Sequence, residues 1–239
     1  MAEPAATKAA PGTAVVTGCH GGMGRAIVAA LAASGRRVIG IDRPGSDGAT
    51  PDRFLPCDLA DMAAVAALVD TLQGEPVDCL VNCAGHYAIK PVFDLTLEDF
   101  DLALAINLRA PFLLSQGLAR GMATRGGGSI VMISSIAGKL GSPMVPYGTT
   151  KAALIGLTKS LAKTLAPHAI RVNAIAPGVI RTPMAEGVEP EQMAQQMKNV
   201  PMARWGEPEE IAGVVGFLAG DASSYMTGAV LDVAGGWMS

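Results

Sequence analysis

Two kinds of apolar pattern alternate along this chain. Short unbroken runs at residues 13–17, 37–41, 53–56, 78–82, 129–135, 170–175 and 228–233 predict strands buried on both faces. Between them, apolar residues recur every third or fourth position, which predicts helices. Residues 25–34 carry Ile27, Ala30 and Leu31, and Gly35 ends the run. Residues 61–73 carry Met62, Val65, Leu68, Val69 and Leu72; residues 147–166 carry Leu154, Leu157, Leu161 and Leu165, and Pro167 stops them. Another helix is predicted over 207–219, opened by Glu207-Pro208. The longest run, 96–122, has Thr96-Leu97-Glu98-Asp99 as its cap and is apolar on more than one face, which predicts burial against a second subunit. Asn107 lies inside it, and a buried amide needs partners, so it marks either a kink or a polar relay. Strand and helix alternate without a repeat or a linker. That order predicts an α/β fold, a doubly wound parallel sheet of about seven strands with helices on both faces. The domain is expected over 12–239, after a frayed Ala/Pro-rich lead-in at 1–11.

Composition narrows the function classes. Half of the 239 residues are hydrophobic, enough for a large core under both faces of a sheet. The net charge is −3 and there is no basic run or aromatic-basic stripe, so no nucleic-acid partner is expected. No apolar stretch reads as a membrane span and the N-terminus lacks an apolar signal core, so a cytoplasmic protein is expected. Cys79 and Cys83 fall on one strand, roughly 13 Å apart, too far for a disulfide. With Cys19 and Cys57 they read as buried small hydrophobes in a reducing compartment, and no ligand spacing points to a metal.

The chemistry gathers at the strand ends. Gly18, Gly21, Gly22 and Gly24 join the first strand to the first helix, where backbone N–H groups can hold a pyrophosphate. Asp42 ends the second strand, placed to bond adenosine ribose hydroxyls and repel a 2′-phosphate. This favours NAD over NADP, with Arg43 next door as the counter-argument. Asp58 is placed either to bond an adenine amino group or to cap a helix. Asn82-Cys83-Ala84-Gly85 leaves room for a flat ring or a sugar, and His86 and Tyr87 follow at the rim of the cleft. The fifth strand ends in Ser134 and Ser135, at the edge where open parallel sheets bind ligands. Tyr147 and Lys151 are one helical turn apart, so a phenol and an ammonium share a face, and the cation is expected to lower the phenol's pKa. Gly178 suits close approach to a nicotinamide ring. A Met-rich lid over about 181–205, with Met184, Met193, Met197 and Met202, suits an apolar or cyclic substrate.

In this combination the residues resemble the short-chain dehydrogenase/reductase family, in its compact branch, from about Gly12 to Trp237. Thr17 to Gly24 is similar to its Thr-Gly-x-x-x-Gly-x-Gly loop, and Asn82-Cys83-Ala84-Gly85 to its Asn-Asn-Ala-Gly, with Cys83 in place of the second Asn. The resemblance implies a catalytic tetrad of Asn107, Ser135, Tyr147 and Lys151, with Asn107 ordering a water that links Lys151 to solvent. It implies a nicotinamide cofactor bordered by Gly18, His20, Gly22, Met23, Gly24, Asp42, Asp58, Leu59, Asn82, Ala84, Gly85, Tyr147, Lys151, Pro177, Gly178, Val179, Ile180 and Thr182. His86, Ser135, Met144 and Met184 are expected to meet the substrate. The family serine often stands thirteen residues before the tyrosine, as Ser134 does; aligning the strand itself selects Ser135, with a loop one residue shorter. Ala234 stands where many relatives carry Asp in a subunit-contact region. The expected activity is hydride transfer between NAD(H) and a secondary alcohol or ketone, by a homodimer or homotetramer. The alternatives are an NADP-dependent 3-oxoacyl reductase and a non-catalytic nucleotide-binding regulator.

Overall fold

The computed structural model describes residues 12–186 and 190–237; the expected lead-in at 1–11 lies outside them. The elements run β1 (Thr13–Thr17), α1 (Gly22–Ala33), β2 (Arg37–Asp42), β3 (Arg53–Pro56), α2 (Met62–Leu72), β4 (Val77–Asn82), α3 (Leu97–Leu104), α4 (Ala110–Thr124), β5 (Gly128–Ile133), α5 (Ala137–Leu140), α6 (Val145–Leu165), β6 (Ile170–Pro177), α7 (Pro183–Glu186), α8 (Pro190–Met197), α9 (Pro208–Ala219) and β7 (Val230–Val233). The seven strands form one parallel sheet in the order β3-β2-β1-β4-β5-β6-β7. The doubly wound sheet expected from the alternation is therefore present.

The strand runs look continuously apolar because alternate residues feed two separate cores. Val15, Ile39, Leu80, Ile130 and Met132 pack on one face with Leu68, Leu72, Leu114 and Leu118 of α2 and α4. Ala14, Val16, Val38, Val81, Val131 and Ile133 pack on the other with Ile27, Leu31, Ile211 and Val215 of α1 and α9. A strand with period-two alternation and both faces covered has no polar position to spare. Local signals set the helix starts. Asp61 accepts from the N–H groups of Ala63 and Ala64 to open α2, and Thr96 and Asp99 close a reciprocal capping box at α3.

Three expectations change. β7 begins at Val230 rather than at 228, because Gly228 turns the chain at φ +76°. The long helix runs on to Thr124 without a break, Leu97–Thr124, and carries a π-turn at Ala105–Arg109 with Asn107 fully buried inside it. By length and composition alone, Leu97–Thr124 is also apolar enough to cross a membrane, against the sequence expectation; more than half of its apolar window is buried in this fold.

Candidate active site

The strand order places β1 beside β4 at the centre of the sheet, where chain crossovers diverge to opposite sides and open a crevice at the strands' C-terminal ends. The loops leaving β1 and β4 are locked together there. Thr17 Oγ1 accepts from the N–H of Cys83 at 3.0 Å and of Ala84 at 3.1 Å. Gly18 sits at φ +67°, and a Cβ on it would lie 2.8 Å from Ala84 Cα. A Cβ on Gly22 would lie 2.8 Å from Thr182 Cγ2, so the segment after β6 also rests on the glycine loop. No side chain caps α1 and no acid occupies its first turn, which leaves that end of the helix open to an anion. Asp42 stands beside it, accepting from His20 N–H at 2.9 Å and Arg43 N–H at 2.8 Å. A glycine cradle, an uncapped helix end and a neighbouring carboxylate fit a dinucleotide.

On the other side of the crevice, α6 presents Tyr147 and Lys151 together. Lys151 is buried, its Nζ lies 5.6 Å from the centre of the Tyr147 ring, and it donates to Ile133 O at 2.7 Å. The structure separates the two serines. Ser134 Oγ donates to the carbonyl of Lys151 at 2.9 Å and so ties β5 to α6, whereas Ser135 Oγ accepts from Ala137 N–H at 3.1 Å and its side chain approaches the Tyr147 phenol closely enough to lower the phenol's pKa. Tyr87 stands edge-on to Tyr147, with ring centres 5.9 Å apart. Gly85 faces Lys151 Nζ and Asn107 Oδ1.

Asn107 is both a kink and a polar hub. Its Oδ1 accepts from His86 N–H at 2.8 Å, and its Nδ2 donates to His86 O at 2.8 Å and to Thr150 Oγ1 at 2.9 Å. Thr150 in turn donates to the carbonyl of Tyr147 at 2.9 Å. Both amide hydrogens of Asn107 are thus committed within the protein. The expected water would meet only the remaining lone pair of Oδ1.

The titration picture corrects another expectation. Burial pushes the Tyr147 phenol up, and the neighbouring Ser135 side chain opposes this without reversing it. Burial also brings Lys151 down from 10.5 to about 8, with Cys83 acting against it. Desolvation therefore sets the direction of the phenol's shift, and the expected lowering by Lys151 is not seen. Between pH 8 and 10.5 the unfolded chain holds a proton on Lys151 that the folded chain has lost, so this group's contribution to stability rises with pH across that window. The raised thiols of Cys19, Cys79 and Cys83 pull the other way above about pH 9, so the test is a difference: between pH 7.5 and pH 10 the parent should gain on Lys151→Met by on the order of 2 kcal/mol in urea unfolding. Equal slopes in the two proteins would refute the buried-charge account.

Several expected contacts fall elsewhere. Asn82 turns away from the crevice: Nδ2 donates to Ser115 Oγ and Met132 Sδ, and Oδ1 is buried without a partner. Leu59 and Ile180 belong to the two cores, which leaves only their backbones to face a ligand. Asp58 Oδ1 accepts from Ala60 N–H in a local turn, and the cap of α2 is Asp61. Gly178 lacks a side chain for packing: a Cβ there would lie 2.9 Å from Ala234 Cα. His20 stacks on Phe54, with ring centres 4.7 Å apart. Met23 packs against the core at the start of α1, and Met144 flanks the start of α6. Burial lowers the pKa of His86, with Arg43 adding to the effect. Pro177 ends β6, and Val179 follows it as part of the turn that leads to Thr182. The side chain of Met184 is outside the described residues. Thr17 and Thr150 carry connections that the sequence reading missed. Their signal was a hydroxyl at a strand terminus and another immediately before Lys151.

The four cysteines are free and buried, as expected, and burial pushes Cys19, Cys79 and Cys83 up to about 12.

The profile of a family described as Enoyl-(Acyl carrier protein) reductase matches residues 18–238. The (3R)-3-hydroxyacyl-CoA dehydrogenase of Rattus norvegicus is 36% identical, over 93% of this chain and 95% of its own length. The L-xylulose reductase of Bos taurus is 38% identical, over 95% and 96%. A crystal structure from Beutenbergia cavernae, described as a candidate NAD(P)-dependent gluconate 5-dehydrogenase with NADP bound at low occupancy, superposes with a TM-score of 0.89 at 36% identity, covering 96% of this chain and 97% of that one. These likenesses span nearly the whole chain and meet on the same sheet and crevice, and on them the chain belongs to the short-chain dehydrogenase/reductase family of oxidoreductases.

Proposed function

We propose that this protein interconverts a small secondary alcohol and its ketone by hydride transfer with NAD(H), using Asn107, Ser135, Tyr147 and Lys151. The observation that carries this reading is the meeting of Ser135, Tyr147 and Lys151 on the edge of the crevice opposite the glycine loop. A bound nicotinamide supplies the hydride acceptor or donor. The rest is the work of the chain. Ser135 Oγ and the Tyr147 hydroxyl hold the substrate oxygen, and the phenol gives it a proton in reduction or takes one in oxidation. Lys151 keeps an ammonium beside the phenol, with Ile133 O fixing its direction. Asn107 and Thr150 set the position of the helix that carries Tyr147.

Asp42 supports NAD. Its carboxylate stands at the end of β2 and opposes a 2′-phosphate on the adenosine ribose. Asp42→Ala is expected to weaken NADH use about 10- to 100-fold, the worth of hydrogen bonds to a charged group, and to leave NADPH use level or improved. The measurement is kcat/KM with each cofactor on one ketone; an unchanged ratio sinks the assignment. The second reading is an NADP-dependent 3-oxoacyl reductase. Arg43 favours it, exposed beside Asp42, as do the NADP in the Beutenbergia structure and the acyl-thioester activity in the rat relative's name.

The proposed substrate is apolar or cyclic, from the methionines of the segment after β6. Its ends are clipped by the Ile180–Gly206 bridge, and it holds α7 and α8 between them. Self-association as a homodimer or homotetramer is part of the same proposal. Phe93 is 97% exposed and Leu97 71% exposed, with Phe112 and Leu102 following along α3 and α4.

A further inference from the structure

We infer that Cys19, His20 and Asp42 form a site for one zinc ion, and that zinc and the dinucleotide exclude each other because both need Asp42. The second half rests on the proposed reading of Asp42 as the nucleotide's ribose acceptor; the first half does not.

The sequence hides this cluster, since Asp42 lies far along the chain from Cys19 and His20 and no ligand spacing is regular. The sheet assembles it. β1 and β2 are parallel neighbours with Thr17 opposite Ile41, so the residues that follow each strand come side by side. Cys19 N–H donates to Ile41 O at 3.3 Å, and His20 N–H donates to Asp42 Oδ2 at 2.9 Å. The thiol sulfur, a ring nitrogen and a carboxylate oxygen then lie within 4.8 Å of one another. Tetrahedral zinc, with bonds of about 2.0–2.3 Å, needs ligand atoms roughly 3.3–3.8 Å apart. The three donors would close in by about 1 Å.

The donor set and its support fit zinc. One sulfur, one imidazole and one carboxylate suit a borderline-soft dication, and are the wrong set for magnesium or calcium, which take oxygens. Thiolate and carboxylate together balance the ion's charge; the thiol proton leaves to solvent as zinc binds. The imidazole's tautomer is already set. Ser46 donates its hydroxyl hydrogen to Arg43 O at 2.7 Å, so at its 2.8 Å contact with His20 Nδ1 it must accept. In the neutral ring this places the proton on Nδ1 and leaves Nε2 with its lone pair. Ring stacking on Phe54 steadies the same imidazole, and the Arg43 N–H on Asp42 Oδ1 holds the carboxylate. Gly40 gives the sulfur room, since a Cβ there would lie 2.8 Å from Cys19 Sγ. The site lies two to three strand steps from β5, roughly 10–14 Å across the sheet, on the other side of β4 from the proton transfer at Tyr147.

The experiment titrates the full-length protein with zinc sulfate against a chromophoric chelator, with magnesium as control, and separately follows NADH binding by its fluorescence. One zinc per chain is expected, no magnesium response, and at least tenfold weaker zinc binding in both Cys19→Ser and His20→Gln, each checked for native circular dichroism. The zinc-loaded protein is expected to bind NADH at least tenfold more weakly. No saturable zinc binding, or binding unaltered in both variants, overturns the site. Zinc binding that is lost in the variants yet leaves NADH affinity untouched overturns the exclusion. Asp42→Ala that loses zinc but keeps NADH affinity overturns the ribose reading while leaving the metal site standing.

Discussion

Tyr147→Phe is expected to give a folded protein that binds NADH as tightly as the parent and reduces a ketone about 10³-fold more slowly, within the range general acid catalysis supplies. The ring stays: its edge-on contact with Tyr87 and its place above Lys151 need no hydroxyl. Only the hydroxyl's polar approach to Ser135 is lost, worth at most about 1 kcal/mol in stability. What disappears is the proton. Burial raises the phenol's pKa, so at neutral pH Tyr147 is the acid that ketone reduction needs. Alcohol oxidation needs the phenolate, whose fraction grows about tenfold for each pH unit below the pKa. The parent's oxidative kcat/KM should therefore climb with pH through the neutral and mildly alkaline range, and the Phe variant should lack that climb. Steady-state rates in both directions between pH 6 and 9 decide it. A variant within tenfold of the parent, or one that keeps the same pH slope, removes Tyr147 from the chemistry.

The fold and the site were legible to different depths. The sheet could be read because strands covered on both faces cannot hide: after an opening Asp78 or Ser129, 78–82 and 129–135 stay apolar until they reach the crevice. The Tyr147–Lys151 pair could be read because helical spacing alone makes them neighbours. Asn107 could be read as an anomaly, and the structure resolves it as a π-turn with both amide hydrogens spent. Direction was less legible than position. Ser134 and Ser135 differ only in which way a chain leaving its strand turns, and the backbone decides that. Asn82 turns inward to Ser115, and Gly178 makes way for Ala234; both partners are far off in sequence. The sign of the Tyr147 shift was missed for a related reason, since a nearby cation is visible in a sequence and the desolvation that outweighs it is not. In the Met-rich segment, Pro183 and Pro190 are each the first residue of a helix, where a missing N–H costs nothing, so the segment holds two short helices that the sequence reading did not predict.

Gly24→Ala is expected to destabilise the protein by ~3 kcal/mol and to abolish tight NADH binding, although it adds a single methyl group. That methyl would lie 1.9 Å from the carbonyl oxygen of Gly18, backbone against backbone, with no flexible side chain to give way. Neither partner can retreat. Gly18 is already at φ +67° and pressed against Ala84, whose N–H is held by Thr17. α1 is fixed from its other side by Ile27, Val28 and Leu31 in the core it shares with α9. Relief must come from tilting α1 away from β1, which opens a packed layer and spoils the helix end that faces the dinucleotide. The control is Gly74→Ala, where nothing lies within 4 Å and φ is unexceptional; it should fall within about 0.5 kcal/mol of the parent. Urea unfolding of the three proteins measures the difference, and NADH fluorescence titration measures binding. If Gly24→Ala unfolds like the control and still binds NADH, the interlocked loop is not what holds the nucleotide. If it fails in both while Tyr147→Phe fails only in turnover, the two mutations divide the crevice into a side that binds the cofactor and a side that moves the proton.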